Sequence, residues 1–288
     1  MSQDSKASLA ALPADGLARV EDRRLLTGQG RYVHDVTQSG MLHAVFMRST
    51  HARARFAPPD LQASRASDGV VAVLTSDDLV GLNMPAINPL VPVVNQPDCP
   101  VLARQRVDFV GQPIAVVIAT SLYAAQAAAE QIFVDYSAEP AQADLAIGNT
   151  LVATAEHQSG DVPDGAAYKA RVLHQQPRVA AVSLEPRAAV AHWDAASGLL
   201  TAWLGTQTPS RARADIAQAL GLSIDKVRVI APDVGGAFGA KASVAPEDLV
   251  IAFAARQLQA AIKCRRRGQK TSLLACMAGV QNFKASCG

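Results

Sequence analysis

Apolar and polar positions alternate through MLHAVFMRSTHARARF, where Leu42, Ala44 and Phe46 share one parity, the period of a half-buried strand. Farther along, GVVAVLTSDDLV is a short apolar run ending in a cluster of acceptors, which predicts a strand, a turn and a short helix capped by Ser76 or Asp77. The clearest succession of elements lies in GQPIAVVIATSLYAAQAAAEQIFVDYSAEP. It predicts a continuous apolar strand over 114–119, a helix capped near Thr120 or Ser121, and a returning strand over 132–136, a β-α-β unit.

Two stretches break the pattern. Residues 83–100 are crowded with proline, which fixes φ and withholds N–H donors, so an extended loop is expected there. Periodicity fades again between about 140 and 170, where Gly, Asp and Asn accumulate, as in a linker between domains. Beyond it, VAAVSLEPRAAVAHWD and LLTAWLGTQ predict two strands joined by a hairpin turn over 194–198. PSRARADIAQALG then reads as a helix ending at Leu220 and Gly221, KVRVIAP as a strand, and APEDLVIAFAARQLQ as a helix with Pro246 in its first turn. Strands and helices in mixed order, without an internal repeat, place the chain in the α+β class.

Composition narrows the function classes. With 288 residues, 49% of them hydrophobic, the chain has material for one large domain or two smaller ones. Only 5% are aromatic, so the core is expected to rest on Ala, Val, Leu and Ile. A formal charge of +2 gives no general attraction to nucleic acid or to a membrane surface. Cys99, Cys264, Cys276 and Cys287 are widely spaced, with no CxxC pair, which supports neither a disulfide framework nor a structural zinc site and fits a reducing compartment. The first twenty residues carry acids without an apolar core, and no stretch approaches the roughly 18 apolar residues of a membrane span, so a soluble, cytoplasmic protein is expected.

The most suggestive local chemistry is in APDVGGAFGAK. Gly235, Gly236 and Gly239 follow directly on the strand expected over 227–230, so the backbone can bend sharply and approach a ligand. Such a loop can offer bare N–H groups to an anion or a metal-bound oxo group, although a tight structural turn explains the same composition. Two phosphate motifs fail here. A P-loop opening at Gly235 needs glycine at 240 and Ser or Thr at 242, where Ala240 and Ala242 stand, so Lys241 lacks that context. A dinucleotide fingerprint lacks its third glycine both here and at Gly28-Gln29-Gly30. Taken alone, Gln207 is a polar residue flanking a helix, Phe238 a core phenylalanine, and Glu185 with Arg187 a local ion pair or solvated turn. His34, His43 and His51 have no partner at ligand spacing and read as solvated or hydrogen-bonded side chains.

The order of blocks carries more than any one of them. DVGGAFGAK followed by PEDLVIAFAARQL is similar to the glycine-rich segment of the molybdopterin-binding large subunits of xanthine dehydrogenase, aldehyde oxidase and aerobic carbon monoxide dehydrogenase. LTGQGRYVHD, MLHAVFMRSTHARAR, DFVGQPIAVVIA with AAEQIFVDY, LEPRAAVAHWD and GTQTPSRARADIAQALGL resemble successive blocks of that subunit, over roughly residues 20–260. The resemblance implies a polar lead-in over 1–20, an α/β hammerhead domain over 21–142, a linker over 143–165, the start of an α+β molybdopterin-binding domain over 166–262, and an irregular tail over 263–288.

It also implies a molybdenum–molybdopterin cofactor, plain or in the cytosine dinucleotide form. Gln207 is then expected beside an oxygen ligand of the metal, with the backbone of Gly235, Gly236, Ala237, Phe238 and Gly239 against the metal's ligands. An amide suits that place because it offers donors and an acceptor without titrating. Phe238 is expected to wall a substrate channel, and Glu185 and Arg187 to have a structural or channel-lining role. The implied reaction is oxidative hydroxylation of an aldehyde or an aromatic N-heterocycle, with water as the oxygen source. Electrons are expected to leave to an iron–sulfur small subunit carrying 2Fe-2S clusters and an FAD-carrying medium subunit. Ala242 stands where purine-type relatives carry a glutamate, which removes the case for a purine substrate.

The glutamate acting as catalytic base in this family is expected beyond the C-terminus. A chain without it is either part of the enzyme or a non-catalytic fragment acting at most in subunit assembly. From Lys263 the expected pattern gives way to KCRRRGQK, as a frameshift would produce, or as a short basic phosphate-contacting tail would show.

Overall fold

The computed structural model describes residues 19–85, 93–95, 98–141, 151–152, 170–174, 180–265 and 283–287. Residues 1–31 and 32–288 form two compact units. In the first, a short helix α1 (Asp22–Leu26) ends at Thr27, whose hydroxyl donates back to the Arg23 carbonyl at 2.7 Å.

The second unit begins with β1 (Leu42–Arg48), β2 (Ala54–Phe56), α2 (Gln62–Arg65), β3 (Val70–Thr75), β4 (Arg106–Val107), β5 (Pro113–Ala119), α3 (Leu122–Glu130) and β6 (Tyr136–Ala138). After β7 (Ala170–His174) come β8 (Ala188–Asp194), β9 (Leu199–Leu204), α4 (Pro209–Ala219), β10 (Val227–Ile230), α5 (Pro246–Leu258), β11 (Ile262–Arg265) and β12 (Phe283–Cys287). A seven-stranded mixed sheet runs in the order β10-β9-β8-β11-β1-β5-β3. Its seam is the parallel pairing of β1 with β11, which puts His43 opposite Lys263 and joins strands far apart in sequence. Smaller sheets are β4-β2-β6 and β12-β7.

β5 lies between β1 and β3 and is buried at all seven positions. Its parity explains why: Val116 and Ile118 enter a core shared with Leu249, Ile251 and Ile216 of the helices, while Ala115, Val117 and Ala119 meet Ala125 and Ala128 of α3. The small residues let α3 sit close, and Ser121 starts it by accepting from the Ala124 N–H at 3.1 Å. β8 and β9 form the expected hairpin. Asp194 accepts from the Ala196 N–H at 3.1 Å and from the Ser197 hydroxyl at 2.5 Å, and Gly198 takes φ +64°. β9, α4 and β10 make a parallel crossover with Gly221 at φ +60° after the helix.

Four expectations change. The strand returning after α3 begins only at Tyr136 and joins the small sheet against β2, leaving Phe133 in a lone bridge with Asp60. Both edges of β5 are already taken by β1 and β3, so no ladder remains for it there. The turn after β3 is a 3-10 helix over Ser76–Leu79 led by Thr75, whose N–H and hydroxyl donate to Asp78 Oδ2 at 2.8 and 3.2 Å. β8 starts after Arg187, because Pro186 has no N–H to place in a ladder. Lys263, Cys264 and Arg265, expected to open an irregular tail, are instead part of β11 in the centre of the large sheet, and Lys263 is 9% exposed. The rest of the expected basic run, most of the expected linker and Cys276 lie outside the described residues.

Candidate functional site

Three segments converge at one end of the hairpin. The first follows β9, where Gly205, Thr206, Gln207 and Thr208 lead into α4 with Pro209 at its first position. Thr206 Oγ1 donates to the Lys241 carbonyl at 3.1 Å and accepts from the Thr208 N–H at 3.1 Å. Gln207 N–H donates to the same Lys241 carbonyl at 3.0 Å, and Thr208 Oγ1 donates to the Ala242 carbonyl at 2.8 Å. These bonds fix the main chain of Gln207 while its side chain is exposed.

The second segment is the glycine-rich loop after β10. Gly236 (φ +91°), Phe238 (φ +51°) and Gly239 (φ +84°) all lie in the left-handed region. For a phenylalanine that conformation costs about 1–2 kcal/mol, so the surrounding bonds must hold it. Phe238 is 77% exposed, which overturns the core reading of this residue.

The third segment carries Glu185. Its carboxylate Oε2 accepts from the Gly235 N–H at 2.8 Å and from Lys241 Nζ at 2.7 Å, and its own N–H donates to the Gly235 carbonyl at 3.0 Å. A Cβ on Gly235 would stand 2.6 Å from Cβ of Glu185, so only glycine allows this approach. Arg187 donates to the Ser243 carbonyl at 2.5 Å and stands 3.9 Å from Asp248, which caps α5 through the Ala245 N–H at 2.8 Å. Arg187 therefore braces the chain just beyond the loop.

The structure thus brings the Gln207 segment against the residues that close the glycine-rich loop, with Glu185 behind Gly235. Sequence reasoning missed Lys241, 1% exposed on its side chain and paired with a carboxylate 56 positions away. A lysine among small residues was the only local signal. The three histidines lie elsewhere: His51 stacks on Tyr136 at 4.4 Å, the His34 carbonyl accepts from Lys263 Nζ at 2.8 Å, and His43 belongs to β1. Among the described residues, no group of three or more His, Cys, Asp or Glu side chains could hold a metal ion.

Two family models match the chain in succession. Residues 27–140 match the aldehyde oxidase and xanthine dehydrogenase a/b hammerhead domain, and residues 146–278 match the molybdopterin cofactor-binding domain, which contains all three segments. The chain belongs to the xanthine dehydrogenase and aldehyde oxidase family of molybdopterin-binding large subunits. Within that family it is 31% identical over 264 residues to the nicotine 6-hydroxylase large subunit of Paenarthrobacter nicotinovorans, covering 85% of this chain and 32% of the relative. It is 35% identical over 252 residues to the carbon monoxide dehydrogenase large chain of Afipia carboxidovorans, covering 77% and 31%. The crystal structure of quinoline 2-oxidoreductase from Pseudomonas putida 86 superposes with a TM-score of 0.76 at 32% identity, covering 88% of this chain and 34% of that one. The chain spans about one third of the length of these relatives. Among the described residues, no helix is long and apolar enough to cross a membrane.

Proposed function

We propose that this chain supplies part of the binding site for a molybdenum–molybdopterin cofactor in a heteromeric hydroxylase, with Gln207 and the main chain of Gly236, Ala237, Phe238 and Gly239 as the contributing groups. The observation that carries the reading is the Gln207 main chain bonded to Lys241, where a glycine-rich loop closes, with residue 207 exposed and the loop N–H groups at 236–239 making no main-chain hydrogen bond to a described residue. Gly235 has a different part, since Glu185 takes both its main-chain polar groups and it contributes room rather than a donor.

The residues fit such a group. The charges packed behind Gly235, Glu185 and Lys241, neutralise one another, so the surface offers neutral donors in a fixed array, suited to oxo or phosphate oxygens. When bound, the cofactor supplies a redox-active Lewis-acidic metal for oxidative hydroxylation of an aldehyde or an aromatic N-heterocycle, with water as the oxygen source. Gln207 orients an oxygen through a side chain that stays neutral at every working pH. Thr206 and Thr208 hold the Gln207 main chain, and Phe238 puts an exposed ring beside the site to shape substrate approach and exclude water. We assign no residue of this chain as the catalytic base.

The finer readings extend this one. The cofactor is plain or in the cytosine dinucleotide form, electrons pass to small 2Fe-2S and medium FAD subunits, and the complex is cytoplasmic. We divide the chain into a hammerhead domain over 21–142, a linker over 143–165 and the opening of the cofactor domain from 166. The change of family model between residues 140 and 146 supports the boundary at the end of the hammerhead domain.

The test is the molybdenum and pterin content of the chain, purified with whatever subunits accompany it from cells that make the cofactor. Pterin is expected to co-purify and to be lost in Gln207→Ala and Gly236→Val variants that keep the wild-type melting temperature. Wild-type preparations free of both would overturn the reading and favour a non-catalytic role in subunit assembly.

A further inference from the structure

We propose that Lys241 is a positioning residue that couples the two halves of the site, holding Gln207 through its main chain and the glycine-rich loop through its side chain, with Glu185 as the intervening arm. The inference deepens the cofactor-cradle reading and rests on it for its functional meaning. Lys241 acts in two directions. Its carbonyl accepts from the Gln207 N–H at 3.0 Å and from Thr206 Oγ1 at 3.1 Å. Its ammonium, on a side chain 1% exposed, lies 2.7 Å from Glu185 Oε2, the same oxygen that takes the Gly235 N–H at 2.8 Å.

The surroundings leave this arrangement little freedom. A Cβ on Gly205 would lie 3.7 Å from both Glu185 carboxylate oxygens and from Lys241 Nζ, so the main chain leading to Gln207 lies against the ion pair. On the other side, Gly235 meets Glu185 too closely to admit a side chain. A buried ammonium is tolerated only beside its carboxylate, which keeps the pair closed. A charged acceptor in turn holds the Gly235 N–H more firmly than a neutral one. The stretch 235–241 is thereby pinned at both ends, which is what a left-handed Phe238 inside it requires. Such pinning presets the loop and reduces the ordering that ligand binding must accomplish.

The clamp can be read in the cofactor-free 288-residue chain from the hydrogen exchange of the Gly235 and Gln207 amides, with the amides of β5 as an internal reference. Lys241→Met and Glu185→Met each leave one charge buried and are expected to lower the melting temperature. The double variant leaves none and is expected to recover it. At that recovered stability, both the Gly235 and the Gln207 amides are expected to exchange about tenfold faster than in the wild type, with β5 unchanged. A purely structural pair predicts recovered stability with the Gln207 amide as protected as in the wild type, because Glu185→Met removes the acceptor of the Gly235 N–H in either case. That result, a change confined to Gly235, overturns the proposal. Glu185→Gln, which keeps shape and an acceptor, provides a second reading if the methionine pair does not fold: the two amides loosening in parallel supports coupling, and independent behaviour overturns it. Because no cofactor enters the measurement, a wild-type chain that never carries pterin sinks the cradle reading while the clamp stands or falls on its own amides.

Discussion

Arg48–Glu247 is a buried ion pair and Lys241–Glu185 a largely buried one, both between residues distant in sequence, yet they do different work. Arg48 ends β1 and Glu247 lies in the first turn of α5, with side chains 5% and 4% exposed. The remaining contacts of Arg48 are structural: it donates to the Gly111 carbonyl at 3.1 Å and its guanidinium lies 5.5 Å from the Phe46 ring centre. Glu185 gives its remaining capacity to a loop N–H, and that loop carries a 77%-exposed phenylalanine. Burial of a charge pair alone is weak evidence of stability. The difference lies in what the other bonds of each pair fix, an inter-element joint in one case and a presented surface in the other.

The largest expected effects are at the joint. Glu247→Met leaves the Arg48 guanidinium buried without a carboxylate and should lower unfolding free energy by about 3–5 kcal/mol. Arg48→Met should cost less, because the Glu247 carboxylate in the first turn of α5 still faces the positive end of the helix dipole. Chemical denaturation of both variants measures the order. Equal losses, or the reverse order, would mean that the helix end does not support Glu247.

The next comparison uses one glycine from each pair. Gly235→Ala forces a Cβ to 2.6 Å from Cβ of Glu185 and should cost about 1–3 kcal/mol through overpacking, with its exchange effects concentrated in the loop. Gly111 stands at φ +89°, and a methyl group added there would meet nothing within 4 Å, so Gly111→Ala should carry only the left-handed backbone penalty of about 1–2 kcal/mol. If Gly235→Ala left the exchange of the Gln207 amide untouched, the two segments of the site would not be mechanically joined.

Much of the scaffold around these pairs was legible because it depends on local pattern. The unbroken run of β5, the Ser121 cap of α3, the turn after Asp194 and Pro246 at the start of α5 are written within a few residues of where they act. Strand partnership was not. The run 132–136 has the residues of a strand, but its place beside β5 had gone to β1 and β3, a matter of global topology. Lys263 looked like the start of a basic tail because its neighbours are basic, while its burial depends on pairing with β1 more than two hundred residues earlier. At the site, the residue types in the glycine-rich loop pointed to close backbone approach. The bonds that shape the loop come from Glu185 and Lys241, and no local spacing connects them.

The smallest expected effect concerns the β1–β11 seam, where the imidazole of His43 faces the cation of Lys263 and, among the described residues, no opposite charge. Burial, and then the ammonium of Lys263 in the facing strand, push the His43 imidazole below its ordinary pKa of 6.5. A lowered folded-state pKa means that the unfolded chain takes up this proton first. The stabilising contribution of neutral His43 is complete above the unfolded value and fades as pH falls through 6.5 toward the folded value. His34 is shifted the same way, by burial first and then by Arg265 and Lys263. Removing one imidazole should therefore reduce the acid sensitivity rather than abolish it. Denaturant unfolding at pH 7 and pH 5 is expected to show a smaller loss for His43→Gln than for the wild type, by a modest margin because solvent screens a partly exposed ring. A variant with the wild-type pH dependence would show that neither burial nor the facing Lys263 holds the His43 pKa down in the folded chain.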